Sequence, residues 1–135
     1  MSGQMSIDWD ALKAAAREMQ ARAYVPYSEY RVGAALLTAD GTVVTGCNVE
    51  NASFGATCCA ERTAVFTAVA AGHRDFRAIA VATNGADAGT PCGICRQVLA
   101  EFSADGALEV VCFTPEGAEA RYTLAELLPH AFRLG

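Results

Sequence analysis

The sequence has 135 residues, 53% of them apolar, and 15 Asp and Glu outnumber 10 Lys and Arg for a formal charge of -5. That much apolar chain lets one compact domain over residues 1–135 bury a core. The acidic balance argues against polyanions such as duplex DNA or tRNA and for a small neutral substrate.

In chain order, apolar residues recur at Trp9, Leu12, Ala16, Met19 and Ala23, the spacing of one helix face, with Asp8 as cap and Pro26 as the stop. Tyr30 to Thr38 and Thr42 to Val49 read as two strands joined at Asp40-Gly41, a hairpin signal. Cys58 to Ala71 reads as an Ala-rich helix capped by Thr57 and stopped by Gly72. Ala78 to Thr83 is a nearly continuous apolar run and so a buried strand, followed by a loop over Asn84 to Gly89. Thr90-Pro91 is expected to open a third helix. Leu108 to Phe113 and Ala120 to Tyr122 read as strands, and Thr123-x-x-Glu126 as the capping box of a short last helix ended by Pro129. Strands interleaved with helices imply α/β architecture: a three-layer α-β-α sandwich with a mixed five-stranded sheet covered by helices.

No run of 18 apolar residues occurs, and Met1 to Met5 lack the basic and apolar regions of a secretory leader, so a cytoplasmic protein with no membrane partner is expected. In that reducing compartment the six cysteines are expected as thiols. Their uneven grouping, Cys58-Cys59 and Cys92-x-x-Cys95, points to metal ligation.

Two segments carry the chemistry: Cys59-Ala60-Glu61 and Pro91-Cys92-Gly93-Ile94-Cys95, each at a predicted helix start. They offer three thiolates and one carboxylate. Zinc binds thiolate sulfur well, and a catalytic zinc has three protein ligands with the fourth position left to water. Three thiolates on Zn²⁺ leave a formal charge of -1, which helix N-termini and the adjacent Arg62 can offset. Glu61 is the candidate proton carrier beside the metal. Further along, Asn48 and Glu50 share one face of the predicted second strand, an amide and a carboxylate suited to a sugar hydroxyl; a polar strand end entering a turn is the plainer reading. Cys58 is expected as a small buried hydrophobe, Cys47 and Cys112 as core, His73 and His130 as surface groups. Arg96 and Gln97 read either as the exposed side of the third helix or as braces of the metal site.

The two cysteine segments, about 30 residues apart, resemble the signature of the zinc nucleobase deaminases in its three-Cys variant. Pro26-Tyr27-Ser28-Glu29-Tyr30, Val32 to Ala35, Asn48 to Asn51, Cys59 to Arg62, Pro91 to Gln97 and Leu127 to Phe132 extend the match to nearly the whole chain, and it resembles the cytidine deaminase family in its small homotetrameric form. The resemblance implies hydrolytic deamination of cytidine and 2′-deoxycytidine in pyrimidine nucleoside salvage. It implies one Zn²⁺ per chain on Cys59, Cys92 and Cys95, with Glu61 as proton shuttle. Asn48 and Glu50 are implied on the ribose 3′-hydroxyl, the Ala60 amide on the pyrimidine carbonyl, and the Tyr30 ring against the base. Positions matching Ala52, Phe54 and Phe132 complete a neighbouring subunit's site, and Arg62 and Gln97 brace the metal. Family members usually carry Phe where Tyr30 stands and often Tyr where Phe54 stands, so here the hydroxyls are moved. Three other readings compete: a structural zinc module closed by a fourth ligand, a thiol oxidoreductase using Cys92-x-x-Cys95, and a deaminase for another aminopyrimidine such as the blasticidin type.

Overall fold

A computed structural model describes residues 6–134; Met1 to Met5, on which the absence of a leader was read, and Gly135 lie outside the described residues. Side chains of a strand alternate between faces, and in β1 (Val32–Thr38), β3 (Phe76–Thr83) and β4 (Glu109–Phe113) nearly every residue is buried. Both faces of the sheet must therefore be covered. On one face, Ala35, Ala78, Ala80, Ala82, Val111 and Phe113 pack against Leu12 and Ala16 of α1 (Trp9–Gln20). On the other, Ala34, Leu36, Ile79, Val81, Val110 and Cys112 meet α2 (Ala60–Ala70), α3 (Gly93–Glu101) and α4 (Leu124–Leu127).

With β2 (Val43–Cys47) and β5 (Glu119–Thr123), the sheet runs β2-β1-β3-β4-β5. Only β3 and β4 are parallel; the other pairs are antiparallel. A parallel pair needs a crossover, and α3 supplies it. This is the expected three-layer sandwich with a mixed five-stranded sheet. Among the described residues, no helix is long and apolar enough to cross a membrane.

Two glycines let helices approach the sheet. A Cβ on Gly33 would collide with the Ala16 carbonyl and sit 2.6 Å from the Gln20 nitrogen, so α1 rests directly on β1. A Cβ on Gly46 would lie 2.5 Å from Ala64 N and 2.6 Å from Ala60 O, so α2 rests on β2. The hairpin turn forms where expected, with Gly41 at φ 91 and Asp40 accepting from the Thr42 N–H at 3.1 Å.

Several boundaries differ from the sequence reading. Helix α1 ends at Gln20, well before Pro26, because Arg31 Nη1 donates to the carbonyls of Gln20, Ala21 and Ala23 at 3.4, 3.4 and 2.8 Å and draws the chain away. Tyr30 and Arg31 precede β1, and Asn48 and Val49 follow β2, Val49 making only isolated bridges to Tyr24 and Cys58. Thr57 does not cap α2: its hydroxyl accepts from the Asn51 N–H at 3.2 Å, and Cys59 is the N-cap residue. Thr90 and Pro91 likewise stop short of α3, whose N-cap is Cys92; the Thr90 hydroxyl accepts from Arg96 instead. The capping box of α4 is present as expected.

Candidate metal centre and adjoining cleft

The misplaced caps have a chemical reason. Neither Cys59 nor Cys92 makes a side-chain cap hydrogen bond, so both helices leave their first N–H groups and positive dipole ends to whatever faces them. The residues at both starts are cysteines. Cys59 and Cys92 are the N-cap residues and Cys95 sits one turn into α3, bringing three thiols from two helix starts to one point.

Their sulfur atoms all lie within 4.8 Å of one another, with Cys59 and Cys92 at 3.9 Å. A tetrahedral zinc with sulfur at about 2.3 Å requires sulfur–sulfur separations of about 3.8 Å, so the cluster fits a zinc ion in both donor chemistry and spacing. Arg62 Nη2 donates to Cys59 Sγ at 3.4 Å. Hydrogen bonding with Cys95, and then Arg62, pulls the Cys59 thiol down to about 5. Hydrogen bonding with Cys59 and burial push Cys95 up.

Glu61, two residues beyond Cys59, is 5% exposed. Desolvation pushes its carboxyl up to about 7, into the range where a carboxyl both takes and gives protons near neutrality. It lines a cleft of about 180 Å³ together with Cys59, Ala60 and Cys92. Tyr30, Val32, Asn48, Val81, Thr83, Gly89 and Thr90 complete its lining. Ala60 is the first residue of α2, where the backbone N–H has no helical acceptor.

Asn48 and Glu50 are occupied differently from a free polar pair. Asn48 Oδ1 accepts from the Val32 N–H at 2.9 Å and Nδ2 donates to the Tyr30 carbonyl at 2.8 Å. Glu50 Oε1 accepts from the Tyr27 and Ser28 N–H groups at 3.0 and 3.1 Å, and Oε2 from the Ser28 hydroxyl. Asn48 keeps one N–H and one lone pair of its amide oxygen, and Glu50 keeps one lone pair. Asn48 lines the cleft; Glu50 is not among its lining residues and accepts from the Tyr27-Ser28 turn.

Ala52, Phe54 and Phe132 are exposed, the two rings at 81% and 68%, and none lines this cleft. Gln97 Nε2 donates to the Phe132 carbonyl at 2.9 Å, so it ties the C-terminal segment to α3 and does not touch the sulfur cluster. The brace from α3 is Arg96, which donates to Pro91 O at 2.7 Å, Thr90 Oγ1 at 3.0 Å and Leu127 O at 2.8 Å, clamping the approach to Cys92. Sequence reasoning left Val81, Thr83 and Gly89 out of the site. Thr83 had a signal: it ends a strand of the parallel pair, the side on which α/β sheets collect ligands.

The geometry agrees with known proteins. Residues 6–113 match the family model for the cytidine and deoxycytidylate deaminase zinc-binding region. The chain is 47% identical to a cytidine deaminase of Sporosarcina psychrophila, over 93% of this chain and 92% of the relative. It is 52% identical to one from Halalkalibacterium halodurans, over 84% and 87%. A crystal structure of cytidine deaminase from Burkholderia pseudomallei superposes with a TM-score of 0.88 at 48% identity, covering 93% of this chain and all of that one.

Proposed function

The chain belongs to the cytidine and deoxycytidylate deaminase family, and on that premise we propose that it is a zinc-dependent hydrolase converting cytidine and 2′-deoxycytidine, with water, to the uracil nucleosides and ammonia. The observation that carries this reading is the cluster of three cysteine sulfurs at two helix starts beside a buried carboxyl, at the foot of a cleft.

In this reading Cys59, Cys92 and Cys95 hold one zinc per chain. Zinc so bound supplies Lewis acidity that lowers the pKa of a water molecule toward neutrality. Glu61 would take one proton from the attacking water and deliver it to the ring nitrogen N3, then take the remaining hydroxyl proton at C4 and pass it to the departing amine, leaving the uracil carbonyl and ammonia. The Ala60 N–H donates to the pyrimidine carbonyl and the Tyr30 ring packs on the base. The ribose 3′-hydroxyl donates to the free lone pair of Glu50 and accepts the spare Asn48 N–H. Arg62 holds Cys59, and Gln97 acts at one remove through the C-terminal segment.

We further propose one domain that works in the cytosol in nucleoside salvage as a homotetramer, with Ala52, Phe54 and Phe132 of neighbouring copies covering the cleft. Their exposure supports this arrangement. The test is direct: purified protein is incubated with cytidine, deoxycytidine and cytosine, loss of the amine is followed by ultraviolet absorbance, and zinc is assayed in the same sample. Both nucleosides are expected to turn over. A zinc-replete protein that leaves them unchanged would sink the reading.

A further inference from the structure

Tyr30 lies outside the sheet, two residues before β1 begins at Val32, so no strand partner satisfies the two peptide groups flanking it. Side chains do. In the peptide before it, the Tyr30 N–H donates to Ser28 Oγ at 3.0 Å and the Glu29 carbonyl accepts from Asn84 Nδ2 in a longer contact of 3.4 Å. In the peptide after it, the Tyr30 carbonyl accepts from Asn48 Nδ2 at 2.8 Å and the Arg31 N–H donates to Asn84 Oδ1 at 3.0 Å. Asn84 alone touches both peptides, and so fixes their relative rotation about the Tyr30 Cα.

We infer that Asn84, which lies outside the cleft, is a positioning residue that sets the Tyr30 ring in the cleft wall before any nucleoside arrives. Glu29 stands at φ 59, a left-handed conformation that a non-glycine residue keeps only where its surroundings impose it. Asn84 directly follows Thr83, the last residue of the central strand, which is paired on both sides, so it ties an otherwise unladdered loop to that strand. The amide is what the task needs: one acceptor for an N–H and one donor for a carbonyl on the same group. A ring held in place before binding spares the cost of ordering it on binding.

The inference rests on the proposed packing of Tyr30 against the base, and its test separates the two. Asn84→Ala should raise KM for cytidine about fivefold, the scale of one lost hydrogen bond, with kcat and zinc content little changed. Asn84→Asp, which keeps the acceptor for the Arg31 N–H but loses the donor to the Glu29 carbonyl, should recover at most part of the loss. In a Tyr30→Ala background Asn84→Ala should add nothing further. An equal KM increase in that background, or full recovery by Asp, would overturn the assignment. Independently of activity, the nucleoside-free protein is labelled with 3-fluorotyrosine and the Tyr30 fluorine resonance assigned with Tyr30→Phe. Asn84→Ala should shift or broaden that resonance, and an unchanged signal overturns the positioning role. A resonance shifted by Asn84→Ala, in a protein whose wild type leaves cytidine unchanged, would support the bracket and count against the functional reading instead.

Discussion

Glu61 combines near-complete burial with a place in the cleft wall beside the cysteines, and no other carboxylate among the described residues does so. Glu61→Gln should therefore cut kcat by at least roughly 10²-fold, the usual scale of lost general acid–base catalysis, while zinc measured by elemental analysis stays near the wild-type level. Arg62 acts on the metal through Cys59, whose sulfur its guanidinium contacts at 3.4 Å. Arg62→Ala should weaken zinc affinity by roughly 10- to 100-fold, read by competition with a chromogenic chelator; unchanged affinity would make Arg62 a bystander. Cys59, Glu61 and Cys92 to Cys95 were legible in the sequence because each half of the motif is local. Asn84 was not, because its partners Arg31 and Glu29 stand 53 and 55 residues away and nothing in a short window distinguishes it from a loop polar; Arg96 was legible only as one of two readings, because its Leu127 contact lies 31 residues away. Glu50 and Asn48 were legible as a pair, but not their shared work in building the wall that carries Tyr30.

At the level of elements, the register of helices on the sheet depends on the missing side chains of Gly33 and Gly46. Gly46→Ala places a methyl against the backbone of α2, an overpacking expected to cost roughly 1–3 kcal/mol or more, measured as a lower urea midpoint at unchanged m-value. The β1–β2 turn should be acid-sensitive. Hydrogen bonds from Thr38 and Thr42 hold the Asp40 carboxyl down at about 2, against a usual 3.8. A lowered folded-state pKa stabilises above 3.8, and the benefit fades as pH falls toward 2. The Tm gap between wild type and Asp40→Ala should thus be open at pH 5 to 7 and close by pH 2; a gap that widened on acidification would refute this. Alternation and apolar runs made the five strands and the first two α-helices recognisable and capping signals the last two, whereas the single 3-10 turn Phe54–Ala56 had no such pattern. Helix starts were misjudged at Thr57 and Thr90 because a good capping residue was available at each, whereas the helices begin later, at cysteines that leave their N–H groups free for the site.

For the molecule as a whole, the proposed sharing of aromatic rings between copies makes a strong prediction. Phe132→Ala and Glu61→Gln should each lower activity alone, yet mixed oligomers from co-expression should regain part of it, since some sites then receive an intact Glu61 from one copy and an intact Phe132 from another. Sedimentation of the wild type should give four chains per particle. No restoration in confirmed mixed oligomers would mean that each chain serves only itself. No sequence pattern could reveal such sharing, since an exposed phenylalanine reads the same whether or not a second copy covers it. The sulfur cluster also has a bearing on how the chain reaches its native state. Cys59 and Cys92 are 33 positions apart, and β3, inserted between β1 and β4, separates them along the chain. Until that central strand has docked, the thiols are remote neighbours on a loose tether, held together only against loop-closure entropy. Tight metal capture must then come late in folding, so stopped-flow zinc uptake should lag behind the first growth of secondary structure, and chelators should speed unfolding of the finished protein far more than they slow its initial collapse.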